Sequence, residues 1–383
     1  MILFGELYFF VCAGLLLIPA LVLGIMEKPI KYYGFFVTIV FILLALWNKP
    51  TEIFYMAGYL IFQFIIITLF LRIRLAKGRT RCWFWTFITL SLAPLVLYKI
   101  AGLFEISILG FMGISYMTFK SLQVIIEIHD GLIKECKPFE FIYFLTFFPA
   151  VLSGPIDRSR RFNEDLALVR PREQYLDLVG AGLFKICQGI EYKFVLAQAV
   201  YQAITYLGME GGWYSNAIYL YSYGFYLFFD FAGYSLMAIG TSYILGIITP
   251  RNFREPFLSI DIKDFWDRWH ITLSYWFRDF VFSRFMMASM KGKWFKSKLT
   301  GASIGFMVNM LLMGLWHGLT YSYILYGLYH GVLLAITEIY QKKSKFYKKH
   351  KKEKWYKIVS WFITFNLVMF GFFIFSGRFL EII

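Results

Sequence analysis

The sequence predicts an all-α, polytopic integral membrane protein, and three observations carry that expectation. The first is composition: 59% of the 383 residues are hydrophobic, another 30 are Gly, and only 16% are charged. An ordinary soluble domain is roughly 45–50% apolar with Gly counted and about 25% charged. At about 20 apolar residues per crossing, this content supplies about 8–11 transmembrane helices, with re-entrant and interfacial helices using the remainder. The second observation is that the apolar residues fall in long runs. The third is that the excess of 39 Lys and Arg over 24 Asp and Glu gathers in the connections between runs, as the positive-inside rule expects. Together they exclude a secreted disulfide scaffold, a disordered chain and a soluble enzyme on a single anchor.

The first run, about 8–26, follows Glu6 rather than a basic segment and precedes no small-residue cleavage site, so it reads as a retained span. Runs at 30–47, 53–71 and 83–98 continue the pattern. The connection after the third carries Arg72, Arg74, Lys77, Arg79 and Arg81 without an acid, which assigns it to the cytoplasm and the N-terminus to the outside. From 100 to 152, Glu105, Lys120, Glu127, His129 and Asp130 interrupt the apolar residues, and re-entrant or partly submerged helices are expected. The polar segment 153–175, with five arginines, is again expected in the cytoplasm. Apolar runs resume at 176–208 and 213–249, the second containing the lone acid Asp230.

Residues 251–298 keep a helical rhythm but hold too many charges to span, so amphipathic helices at the cytoplasmic face are predicted. An apolar stretch at 299–341, a segment with nine lysines at 342–357 and a last span at 358–376 complete the chain. This order leaves the C-terminus outside. With no internal repeat and no linker composition, residues 1–383 read as a single membrane-embedded domain.

Chemistry is sought where ionisable groups enter membrane segments, because such groups are costly there. His270 sits in FWDRWHITLSYWF. On one continuous helix, Trp266 and Ser274 would lie a turn to either side, and Asp267 at i−3 would orient the imidazole. The plainer alternative is an interfacial histidine that packs among aromatics. His317 lies in MGLWHGLTYSY between Gly314 and Gly318. A helix rising from the cytoplasm at 298 carries it to the outer half of the bilayer, where an imidazole suits general acid/base work; a buried structural histidine is the alternative. The pairs Gly301/Gly305, Gly314/Gly318 and Gly327/Gly331 are small-xxx-small faces for close helix approach. His330 is expected to pack and His350 to be solvated, while His129 fits a cytoplasmic or a cavity role equally. Cys12, Cys82, Cys136 and Cys187 lack metal or redox spacing and read as reduced packing residues. GxSxG, HExxH and P-loop motifs are missing, which removes support from serine-hydrolase, zinc and nucleotide-driven readings.

The segments FFDFAGYSLMAIG (228–240), RNFREPFLSIDIKDFWDRWHITLSYWFRDFVF (251–282) and MGLWHGLTYSYILYGLYHG (313–331) together resemble the membrane-bound O-acyltransferase family. The two histidines of that pattern fall on His270 and His317. IEIHDGLIKE at 126–135, FLTFFPAVLSGPIDRSRRF at 144–162 and FITFNLVMFGFFIFSG at 362–377 extend the resemblance through most of the chain and toward the D-alanyl branch of the family. Alginate O-acetyltransferases share the RWH and WHG segments but continue the first with a Pro-Leu-Gly-Gly turn, where this chain has SRFMMASMKGKWFKSK.

The resemblance implies helices around a central funnel or tunnel, and transfer of an acyl group from a cytoplasmic thioester to a hydroxyl at the outer side, with His317 and His270 as the catalytic pair. In the D-alanyl branch the donor is D-alanine on the phosphopantetheine of a small acidic carrier protein, and the acceptor is lipoteichoic acid. No tightly bound cofactor, metal or nucleic acid is implied, and a small membrane partner of the same pathway is consistent with it. Trp266, Asp267, Trp269 and Trp316 are expected along the donor passage. An extended phosphopantetheine arm is shorter than a hydrocarbon core of about 30 Å, so the passage has to run through a thinned region. Arg284, Phe285, Met286 and Met287 would form a docking patch with a charged rim for the carrier. Two rivals stand beside this reading. One is O-acetylation of an exported polysaccharide. The other is a proton-coupled secondary transporter using His317, Asp230 and Glu105, which predicts inverted repeats that the sequence does not contain.

Overall fold

The computed structural model describes residues 1–106, 109–207 and 212–382. Every regular element among these is helical. The helices are α1 Leu7–Ile25, α2 Lys31–Leu46, α3 Pro50–Lys77, α4 Arg81–Leu103, α5 Ile114–Asp130, α6 Pro138–Thr146, α7 Ser159–Ala167, α8 Arg172–Ile190, α9 Ala197–Leu207, α10 Trp213–Ile244, α11 Ile262–Trp266, α12 Ile271–Phe277, α13 Ser283–Lys291, α14 Lys298–His317, α15 Tyr321–Lys343, α16 Lys345–His350, α17 Lys354–Phe375 and α18 Arg378–Ile382. Six of them, α1, α3, α4, α14, α15 and α17, are long and apolar enough to cross a membrane. The shorter α2 is equally apolar, and α10, at 32 residues, is about 48 Å long. The chain is a multi-pass membrane protein. Position 208, where the run from 176 was expected to end, and positions 107–108 lie outside the described residues.

The chain forms two compact units, Met1–Ile190 with Gly233–Pro250, and Glu191–Ala232 with Arg251–Ile383. In the first, Phe4, Phe9, Phe41 and Phe148 are buried in mutual ring contact. The irregular stretch after residue 100 has a physical explanation in α5, which is buried on nearly all sides. A helix enclosed by protein can carry polar groups if each finds a partner. Lys120 Nζ donates to the carbonyls of Phe144 at 2.9 Å and Leu145 at 3.4 Å, and Ser159 Oγ donates to Glu127 Oε2 at 3.2 Å. His129 resolves as a buried structural residue: its Nε2 accepts from Arg79 Nε at 3.1 Å, its carbonyl accepts from Arg74 Nε at 3.1 Å, and its ring packs on Phe84. Two arginines of 153–175 are also engaged, Arg161 by Asp157, and Arg170 by Asp165 and the Gly246 carbonyl.

In the second unit the predicted interfacial block breaks into short helices, α11 to α13, with a π-helical turn at Arg278–Phe282. Asp261 caps α11 by accepting from the Lys263 and Asp264 amides, and Ser297 caps α14 by accepting from Thr300 N. The stretch 299–341 folds as the antiparallel pair α14 and α15. Their glycines let the backbones meet: a Cβ on Gly327 would stand 2.5 Å from the Met310 carbonyl oxygen, and one on Gly314 would stand 2.3 Å from that of Tyr323. His350 departs from the expectation of a solvated side chain. It is half-buried against Phe346 and Trp355, with Nδ1 2.9 Å from Glu353 Oε1, because the lysine segment folds back as a hairpin between α15 and α17. All four cysteines are free.

Candidate active site

His317 is the last residue of α14, and Gly318 continues in extended backbone. Gly318 is needed there by close approach, since a Cβ would stand 2.4 Å from the Tyr323 ring. The turn therefore brings the first rings of α15 onto the imidazole. Ring centroids lie 4.5 Å away for Trp316, 5.0 Å for Phe375, 5.9 Å for Tyr323 and 6.3 Å for Tyr326. Tyr326 is buried, whereas His317, Trp316, Tyr323 and Phe375 are only half-buried, so the imidazole sits in a cup that remains partly open.

His270 is placed differently from the expected continuous helix. α11 stops at Trp266, α12 starts at Ile271, and His270 itself occupies the left-handed region at φ 42°, a conformation that non-glycine residues adopt at a cost. Neighbouring backbone holds it there: Ile271 N donates to the Asn252 carbonyl at 2.8 Å, Arg254 N donates to the Arg268 carbonyl at 3.0 Å, and Thr272 Oγ1 donates to Asn252 Oδ1 at 2.6 Å. The helical spacing behind the expected Asp267 contact is therefore lost. Asp267 faces Arg278 at 3.7 Å and is half-exposed, with no hydrogen bond to His270.

The imidazole of His270 is 4% exposed and edge-on to Phe231 at 4.6 Å. Its Nε2 has no hydrogen-bond partner among the described residues. Burial first, and the nearby His317 second, hold it well below the ordinary histidine range. Both effects favour the neutral imidazole, which can accept or donate through the nitrogen that the described residues leave unused.

Of the expected passage residues, Trp269 is buried among Phe253, Phe265 and Phe372. Trp266 is buried against His330, with Nε1 unpartnered. His330, expected to pack, is fully buried between Trp266 and Tyr326, and neither ring nitrogen has a partner among the described residues.

Of the four residues expected in a docking patch, Arg284, Phe285, Met286 and Met287, only Met287 is exposed. Phe285 and Met286 turn toward α14, where they would meet a Cβ on Gly305 and Gly301 respectively. Met287 is 56% exposed and is joined by exposed Met290 and Trp294, two residues that sequence reasoning missed although Met290 stands one helical turn beyond Met287. Arg284 is half-buried and engaged. Asp230 is ion-paired with Lys193. Among the described residues, no three His, Cys, Asp or Glu side chains gather as a metal-ligand set.

Comparison with known proteins identifies the family. A family model described as the membrane-bound O-acyltransferase family matches residues 79–377. The chain is 40% identical to the teichoic acid D-alanyltransferase of Bacillus subtilis, over 98% of each chain. It is 39% identical to that of Streptococcus thermophilus, over 98% of this chain and 94% of the other. A probable alginate O-acetylase of Pseudomonas syringae pv. tomato is 30% identical over 71% of this chain and 50% of its own length. A histidine-centred aromatic cup beside a second, buried histidine, in a chain matched over this extent, is accounted for by one conclusion: the chain belongs to the membrane-bound O-acyltransferase family and is an acyltransferase.

Proposed function

We propose that this acyltransferase moves D-alanine from the thioester of an acidic, phosphopantetheine-bearing carrier protein to hydroxyl groups of lipoteichoic acid. The observation that carries the reading is the half-open position of His317 at the end of α14, beside the neutral His270. His317 acts as general base. It takes the acceptor's hydroxyl proton as the oxygen attacks the thioester carbonyl; the carbon–oxygen bond forms, the carbon–sulfur bond breaks, and the proton passes to the departing thiolate. His270, fixed by its backbone neighbours, positions the donor through its unused nitrogen. Trp266, Trp269 and Trp316 support the passage walls.

The basic connections are assigned to the cytoplasm of a bacterial cell, with the N-terminus outside, and the whole chain acts as one membrane-embedded domain in the plasma membrane. On the cytoplasmic side Met287, Met290 and Trp294 form the apolar centre of the carrier's landing surface, and the +15 net charge steers an acidic partner toward it. The name shared by relatives that match nearly the whole chain supports the D-alanyl assignment. The test is His317→Ala in proteoliposomes supplied with D-alanyl carrier and acceptor. Ester formation is abolished while carrier binding persists; undiminished ester formation would overturn the proposal.

A further inference from the structure

The rings around His317 have a property that general base catalysis does not require. A D-alanyl group differs from a propionyl group by one α-ammonium, and a site for it has to accept a cation close to the reacting carbonyl. No carboxylate is supplied for this near the cup: α14 and α17 contain no Asp or Glu, and the one acid of α15, Glu338, pairs with Lys263 near the far end of that helix. What they supply is π surface. Trp316, Tyr323, Tyr326 and Phe375 surround the imidazole, and the Phe375 centroid lies 4.9 Å from that of Tyr323 and 5.1 Å from that of Tyr326. A cation is attracted to such faces from within about 6 Å of a ring centroid, most strongly where water is excluded.

Aromatic packing alone is common in a chain that is 21% Phe, Trp and Tyr. The rings about Trp269 are of that kind: they close on a buried indole, with Phe265 and Phe372 buried and Phe228, Phe253 and Phe257 half-buried at the edge. The cup differs at its centre, where His317 is itself half-buried together with Trp316, Tyr323 and Phe375.

We infer that Trp316, Tyr323, Tyr326 and Phe375 form a cation-binding cage that selects an aminoacyl donor by its α-ammonium. The inference rests on the D-alanyl reading above and extends it, since it names what separates an aminoacyl donor from an acetyl or propionyl one at the same histidine.

The test compares kcat/KM for D-alanyl and propionyl groups on the same carrier protein, with the full chain in nanodiscs. The readout is the ratio of the two, so that any loss shared by both donors cancels. Phe375→Leu lowers the ratio about tenfold. Fluorinated phenylalanines at position 375 keep the ring's shape while drawing electrons from its face, and the ratio falls stepwise with each added fluorine. A ratio that stays constant through the series, whether or not the two rates fall together, overturns the cage and leaves Phe375 a packing residue. An unaltered protein that transfers propionyl but not D-alanyl, or neither, overturns the functional reading itself, and the cage with it.

Discussion

Gly327→Ala is the most direct probe of how the site is held. The added Cβ would stand 2.5 Å from the Met310 carbonyl oxygen and 3.2 Å from the Leu311 Cα. Both are backbone atoms, so no side-chain rotation relieves the clash. Ordinary contact begins near 3.4 Å, and α14 and α15 therefore have to separate by about 0.9 Å at this point. Overpacking of this kind costs about 1–3 kcal/mol, and a rigid backbone obstacle places the expected loss near the upper end. His317 and Tyr323 lie on opposite sides of the spreading pair. A misplacement of about 1 Å lowers rates by up to about 100-fold, so D-alanyl ester formation falls by roughly one to two orders of magnitude. The assay is thermal unfolding in nanodiscs beside ester formation by the same preparation. Gly58→Ala on α3 is the control, because a Cβ there meets nothing within 4 Å; it leaves activity unchanged and stability equal or slightly raised. A Gly327→Ala protein as stable and active as the unaltered one would refute the claim that glycine contact sets the spacing of the site.

Two further outcomes are expected. Met287→Glu, which puts a negative charge on the exposed face of α13, weakens binding of the proposed acidic carrier at least about tenfold by calorimetry, since like charges across an interface cost several kcal/mol; Met286→Leu on the α14-facing side leaves it nearly unchanged, and equal affinities for the two variants would remove α13 from the proposed docking surface. His270 has a depressed folded-state affinity for protons, so the unfolded chain binds more protons just below its ordinary value. The stability it confers is full above pH 6.5 and declines as pH falls below that, by at most about 1.4 kcal/mol per pH unit. His270→Asn flattens that part of the melting-temperature profile, and an unaltered slope in the variant would show that the imidazole is not what titrates.

The outline of the fold was legible because membrane crossing imposes length and apolarity, which composition reports directly. The α14–α15 contact was legible because glycines four residues apart occupy one helix face regardless of what surrounds them. The surroundings of His270 were not. The residues DRWHITL contain no Gly, Pro or Asn to mark a break, and the left-handed turn arises from hydrogen bonds to Asn252 and Arg254, 14 to 20 residues earlier. Which side chains of α13 are exposed was not legible for a related reason. Its helical phase is set by the space at Gly301 and Gly305 of α14, which draws Phe285 and Met286 inward and leaves Met287, Met290 and Trp294 exposed. Asp267 was assigned by spacing within one helix, and the break at residues 267–270 cancels that spacing.

α15 joins two chemically distinct places. Near its end, Glu338 and Gln341 hold the start of α11 through Lys263 and Asp261, and at its beginning Tyr323 lies against His317. The 18 residues between Tyr323 and Gln341 span about 27 Å of uninterrupted helix, close to the thickness of a hydrocarbon core. A helix does not stretch as a loop does, so α15 acts as a fixed gauge between the segment leading to His270 and the cup around His317. A donor arm of different length could not be accommodated by loosening a connection; it would require turns to be added to or removed from α15, and each such change would also rotate the rings of the cup away from the histidine.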